Sequence, residues 1–121
     1  MPRMLIVDDE PDICDCLEAF FLAKGFTVRC ASTGREAIGQ LVLEAPDILL
    51  LDLRLPDLWG IDVLKRAKAL CPDTKVIMVT GVDQPMTRLE AEMHGALAYI
   101  TKPFDFSERT WASVLAGSTS S

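Results

Sequence analysis

The sequence is short of basic charge, of paired cysteines and of long apolar runs. Its 121 residues carry 18 acidic and 12 basic side chains, a net charge of -6. That balance argues against direct nucleic-acid binding through a basic face, because such binding rests on neutralising phosphates. It suits a chain that tolerates cations near its acidic groups. Four cysteines, Cys14, Cys16, Cys30 and Cys71, make no CxxC pair and no zinc-ligand spacing. They read as core or half-buried thiols of a reducing compartment. No apolar run approaches the ~20 residues that span a bilayer. Acids follow "MPRMLIV" before a secretory apolar region can develop. The expectation is a soluble cytoplasmic protein with no membrane partner. There is no internal repeat, and the length suits one domain, able to hide about two-thirds of its unfolded surface without staples.

What is present is alternation. Short apolar runs at residues 4–7, 26–31, 48–51, 75–80 and 96–101 read as strands. Helical spacing fills the gaps. Pro11 suits a first helical turn, Ile13, Leu17, Phe20 and Phe21 share one face, and Gly25 ends that helix. Thr33 and Glu36 have capping-box spacing ahead of the stripe Ala37, Ile38, Leu41 and Val42. Ile61, Leu64 and Ala67 mark a third helix. Residues 85–94 form a fourth, with Met86, Leu89 and Met93 expected inward and His94 near its C-terminus. Ser107 is expected to cap a short last helix carrying Trp111, Val114 and Leu115, with Trp111 packed on the sheet. Residues 1–116 form one domain, and 117–121 ("GSTSS") read as a tail or the start of a linker. Strands alternating with helices predict an α/β, flavodoxin-like doubly wound sheet of five parallel strands, order 2-1-3-4-5, with five helices.

In that order the strands' carboxyl ends share one edge, where such folds bind ligands. Asp8, Asp9 and Glu10 follow the first strand. Asp52 follows the third, Thr80 ends the fourth and Lys102 follows the fifth. Taken singly, each has an ordinary use: Asp8 or Asp9 as a helix cap, Asp52 as a turn residue, Thr80 as a polar strand end, Lys102 as a solvated charge. Together they need a shared explanation. Two like charges ~4 Å apart cost ~4 kcal/mol at an effective dielectric of ~20. Lys102 offsets part of this, and a divalent cation offsets more. Hard oxygens without histidine or cysteine suit Mg²⁺, which takes one or two carboxylates beside a phosphate. Asp52 then reads as a nucleophile that forms an acyl phosphate, with Lys102 neutralising the transferred group and Thr80 donating its hydroxyl.

The blocks "LIVDDEP", "LLLDLRLPDLWGIDVL", "MVTG" and "AYITKPF" resemble, in order and spacing, the receiver domain of two-component response regulators. The resemblance runs from residue 4 to about residue 115. It implies Asp52 as phospho-acceptor and Asp9 as a direct Mg²⁺ ligand. It implies Asp8 as the neighbouring acid acting through water, and Arg54 as the residue whose backbone carbonyl binds the metal. Thr80 and Tyr99 match the family's switch pair, Lys102 its phosphoryl-binding lysine, and Lys102–Pro103 a cis peptide. The implied partners are a sensor histidine kinase or phosphotransfer protein and a downstream effector, met through the fourth helix, fifth strand and fifth helix. The protein is then a switch rather than an enzyme. A phosphate-independent binding module and an aspartyl-phosphate phosphatase are the alternatives. The phosphatase is disfavoured because Arg54 stands where such enzymes place a second acid. Trp59 departs from the acid common before the family's glycine, Arg54 and Val82 hold variable positions near the acceptor, and the last helix is short and polar for the family.

Overall fold

The computed structural model of the chain describes residues 1–119. Five strands, β1 (Arg3–Val7), β2 (Thr27–Ala31), β3 (Ile48–Leu51), β4 (Lys75–Thr80) and β5 (Ala96–Thr101), lie parallel in the order β2-β1-β3-β4-β5. Between and after them run α1 (Pro11–Ala23), α2 (Gly34–Leu43), α3 (Gly60–Leu70), α4 (Pro85–Met93) and α5 (Ala112–Thr119). The expected architecture and strand order hold. The first two residues of the expected tail after 116 fall within α5 together with Thr119, and residues 120–121 lie outside the described residues.

The pleat sorts each apolar strand into two faces. Leu5, Val7, Leu49, Leu51 and Met78 pack with Ala37, Leu41, Ile61, Leu64 and Ala91 on the side of α2, α3 and α4. Met4, Ile6, Ile48, Leu50 and Ile77 pack with Leu17, Phe21, Trp111 and Val114 on the side of α1 and α5. Trp111 is fully buried, as expected, with its indole N–H donating to the Asp105 carbonyl at 2.7 Å. All four thiols are free, Cys14 and Cys71 in the core and the other two half-buried. Burial pushes the Cys14 thiol up to about 12.

Three local expectations need correction. Met86, Leu89 and Met93 face solvent, with Met86 and Met93 each 76% exposed, and Val42 of α2 is also exposed. Periodicity identifies an apolar stripe but not what covers it. In α4 the inward face is Ala91 with half-buried Thr87 one turn earlier, and Arg88 lies over the Tyr99 ring at 4.7 Å. Ser107 caps a turn instead of α5. Its Oγ accepts from Thr110 N at 3.2 Å and donates to Asp105 Oδ1 at 2.7 Å. Hydrogen bonds from Thr110 and Ser107 hold the Asp105 carboxyl down to about 2, and such side-chain bonding delays the helix to Ala112. The capping box at α2 is shifted. Thr33 Oγ1 accepts from Glu36 N at 3.1 Å, but Glu36 returns its bond to Ser32 N at 3.3 Å.

Gly39 sits on the exposed side of α2. A Cβ added there would meet nothing within 4 Å, and its φ is not positive. Gly39→Ala should therefore stabilise the fold by about 0.5–1 kcal/mol, read as a higher urea midpoint at unchanged slope.

Candidate functional site

The ladder carries the polar residues one step past the strand ends. Val7 is paired with Ala31 and with Leu51, and Thr80 with Thr101. Asp8 N then donates to Ala31 O at 3.0 Å, Asp52 N to Val7 O at 3.0 Å and Lys102 N to Thr80 O at 2.8 Å. Three side chains are thereby fixed by backbone pairing before any of them interacts with another. The Lys102–Pro103 peptide that follows is cis.

Lys102 Nζ meets three carboxylates: Asp8 Oδ2 at 2.7 Å, Glu10 Oε2 at 2.8 Å and Asp52 Oδ2 at 3.0 Å. Asp8 and Asp52 are buried, whereas Glu10 is exposed. The two buried pairs act in a low dielectric, and the Glu10 pair is largely screened. Burial alone would push the Lys102 ammonium down. Its bonds to Asp8, Glu10 and Asp52 outweigh that and hold it above the ordinary lysine value. Burial pushes the Asp8 carboxyl up against the lowering influence of Lys102 and of the Glu10 amide. The two shifts are compatible, because burial disfavours the charged Asp8 carboxylate more than its bonds to Lys102 and the Glu10 amide favour it.

Asp8, Glu10 and Asp52 each offer an oxygen within 4.8 Å of the others. These are hard donors in a cluster with excess negative charge, and they fit a small divalent cation such as Mg²⁺. Asp9, the expected direct ligand, is exposed and lies outside this group, and Glu10 is the neighbouring acid that reaches Lys102. Glu10 was legible as an acid after β1 but carried no signal that its side chain would turn back to the site. Arg54 is exposed, and its amide donates to Asp52 Oδ1 at 3.3 Å.

Thr80 is fully buried, and its Oγ1 accepts from Val82 N at 3.2 Å. Tyr99 is half-buried and donates its hydroxyl to the Val82 carbonyl. The two expected switch residues thus meet on one residue, Val82, from opposite ends. Burial raises the Tyr99 phenol above its usual value, so it remains a donor at neutral pH. A cavity of 520 Å³ lies on the far side of Tyr99, between α4, β5 and the end of α3. It does not reach Asp52, so the chemistry of the site rests on the carboxylate cluster.

Two close approaches hold Asp52. A Cβ on Gly60 would lie 2.3 Å from Asp52 O and 2.6 Å from Leu53 Cα, so α3 starts hard against the backbone of Asp52. Among the described residues no helix is long and apolar enough to cross a membrane.

Comparison with known proteins agrees with this fold. Residues 4–111 match the family described as response regulator receiver domain. The regulatory protein AtoC of Escherichia coli is 39% identical over 106 residues, which is 88% of this chain and 23% of that protein. The transcriptional regulatory protein TrcR of Mycobacterium tuberculosis is 36% identical, over 88% of this chain and 41% of its own length. The chain therefore spans less than half the length of these curated relatives. Among solved structures, a CheY-like receiver domain protein from Methanospirillum hungatei superposes with a TM-score of 0.89 at 32% identity, covering 98% of this chain and 93% of that one. A two-component response regulator from Clostridium difficile gives 0.92 at 26% identity, covering 99% and 98%.

Proposed function

Because the chain belongs to the response regulator receiver domain family, we propose that it is a phosphorylation-controlled signalling switch whose phospho-acceptor is Asp52. The observation that carries this is the Lys102 ammonium bound at once to Asp8 and Asp52, at 2.7 and 3.0 Å. An aspartate held at a strand tip beside a fixed cation suits nucleophilic attack on phosphorus. One carboxylate oxygen of Asp52 bonds to the phosphorus of a partner's phosphohistidine as the P–N bond breaks. The donor imidazole leaves with its electron pair. Asp9, Asp52 and the Arg54 carbonyl would hold Mg²⁺, with Asp8 acting through water and Glu10 close enough to Asp8 and Asp52 to join them. When bound, that ion supplies positive charge to the phosphoryl oxygens.

The same geometry supports a route outward. Thr80 Oγ1 exchanges its bond with Val82 N for one to a phosphoryl oxygen. That releases the amide of Val82, the residue whose carbonyl anchors Tyr99. Phosphorylation then favours a second arrangement of Tyr99, α4 and β5, and the shift is limited by how differently the two states bind the phosphoryl group. The exposed Met86, Leu89 and Met93 on α4 offer an apolar surface for an effector to read. A sensor histidine kinase or phosphotransfer protein is the expected donor, in the cytoplasm.

Incubation with acetyl phosphate and Mg²⁺ followed by intact-protein mass tests the proposal. One phosphoryl should be added to the parent and none to Asp52→Asn. If the parent gains none, and beryllofluoride also leaves Trp fluorescence unchanged, the chain is a phosphate-independent binding module instead.

A further inference from the structure

The loop that follows the acceptor is tied to a helix that takes no part in the site. Asp57 Oδ1 accepts from Gly34 N at 2.8 Å and Asp57 Oδ2 from Arg35 N at 3.0 Å. These are the first two amides of α2, which lack partners within the helix. Thr33 already caps the same helix locally through Glu36 N, so Asp57 adds a second, long-range attachment. A carboxylate at a helix N-terminus makes charge-assisted bonds that the helix dipole strengthens. The Arg35 side chain is too exposed for its 4.0 Å ion pair with Asp57 to add much. Beside this contact, a Cβ on Gly34 would lie 2.7 Å from Leu58 Cδ1, so the loop and α2 touch without a side chain between them. At its other end the loop is closed by Gly60 N on Leu53 O at 2.7 Å and by the bridge between Arg54 and Trp59.

From these contacts we infer that Asp57 is a positioning residue for the cation site, fixing through α2 the loop that presents Arg54 beside Asp52. The inference rests on the receiver reading above, in which the Arg54 carbonyl helps to hold Mg²⁺. Asp57 touches neither Asp52 nor the cluster; it acts by stopping the segment between Leu53 and Gly60 from swinging away from α2. The Arg54 amide, already on Asp52 Oδ1, moves with that segment.

The test is a Mg²⁺ titration of the whole chain, followed by Trp fluorescence and by the amide NMR shifts of Asp52 and Arg54. Asp57→Ala should weaken Mg²⁺ binding about tenfold, the size typical of lost outer support for a metal site. Asp57→Asn keeps one acceptor oxygen and should fall between the two. Thr33→Ala removes a cap from the same helix but leaves the loop attached. It should lower the melting temperature comparably while leaving Mg²⁺ affinity as in the parent. Equal Mg²⁺ affinity in Asp57→Ala and the parent overturns the inference, as does an equal loss in Thr33→Ala, which would make the effect one of helix stability. A parent that shows no response to Mg²⁺ overturns the receiver chemistry itself, and this inference with it.

Discussion

At pH 8 and without divalent cations, Lys102→Met should cost the fold about 3 kcal/mol, the lower end of what breaking a buried ion pair costs. Among the described residues the ammonium is the only cation bonded to Asp8 and Asp52, and methionine leaves both carboxylates buried and facing each other. Two remedies remain to the variant, and each predicts a dependence. A divalent cation can replace the ammonium, so millimolar Mg²⁺ should recover part of the loss. Protonation of Asp8 can also relieve it. Its folded pKa is already raised by burial, and removing Lys102 raises it further. An acid whose folded pKa exceeds its unfolded value destabilises the fold above that folded pKa. It ceases to do so once the pH falls below the unfolded value near 3.8. The variant's deficit should therefore shrink as the pH is lowered from 8 towards 5. Lys102 itself contributes no slope in that window in the parent, because its raised pKa leaves it charged in both states. Urea unfolding of both proteins at several pH values measures all of this. A constant deficit would mean that Asp8 is not the group left uncompensated.

The sheet and the tips of its strands were legible because both depend on short-range pattern. Apolar runs such as Ile48–Leu51 read as strands buried on both faces, and right-handed crossovers leave few orders for them. Once the order is given, Asp8, Asp52, Thr80 and Lys102 must share an edge. Their contacts then follow from ladder bonds of about 3 Å that no substitution on the surface would alter. What was not legible is where a side chain turns after the ladder stops. Asp9 and Glu10 follow β1 as adjacent acids. Only the local chain path into α1, with the Glu10 amide on Asp8 Oδ1 at 2.9 Å, brings Glu10 rather than Asp9 to Lys102. Asp57 is hidden for a related reason. An aspartate after proline reads as a turn residue, and nothing local says that its carboxylate will cap a helix more than twenty positions earlier.

The stripe on α4 shows the complementary error. Met86, Leu89 and Met93 have the spacing of a buried face, yet the helix meets the sheet through Ala91, whose small side chain allows close approach. An apolar stripe therefore identifies a face that needs a partner, and the partner need not be the chain's own core. Arg88 lies on the other side of the same helix, over the Tyr99 ring, so one helix carries both the surface misread as core and a contact to Tyr99.

Gly60→Ala should be more damaging to function than to folding. The added Cβ would meet Asp52 O at 2.3 Å, Leu53 Cα at 2.6 Å and Asp52 C at 3.0 Å, all of them backbone atoms. No rotamer change can relieve such contacts, so either α3 backs away or the end of β3 moves. Overpacking of this kind costs about 1–3 kcal/mol. The Gly60 N–H bond to Leu53 O and the burial of Ile61, Val63 and Leu64 resist withdrawal of the helix. The strain therefore falls on the acceptor, whose own carbonyl is the nearest atom. A displacement of about 1 Å at a reacting group lowers rates by about a hundredfold. The expected result is a variant that remains folded by circular dichroism at 25 °C, with a depressed melting temperature. It should accept phosphoryl from acetyl phosphate about a hundred times more slowly than the parent, by timed mass measurement. Gly39→Ala, made in the open on α2, should accept it at the parental rate. A Gly60→Ala chain that is destabilised but phosphorylated at the parental rate would show that α3 yields and Asp52 does not.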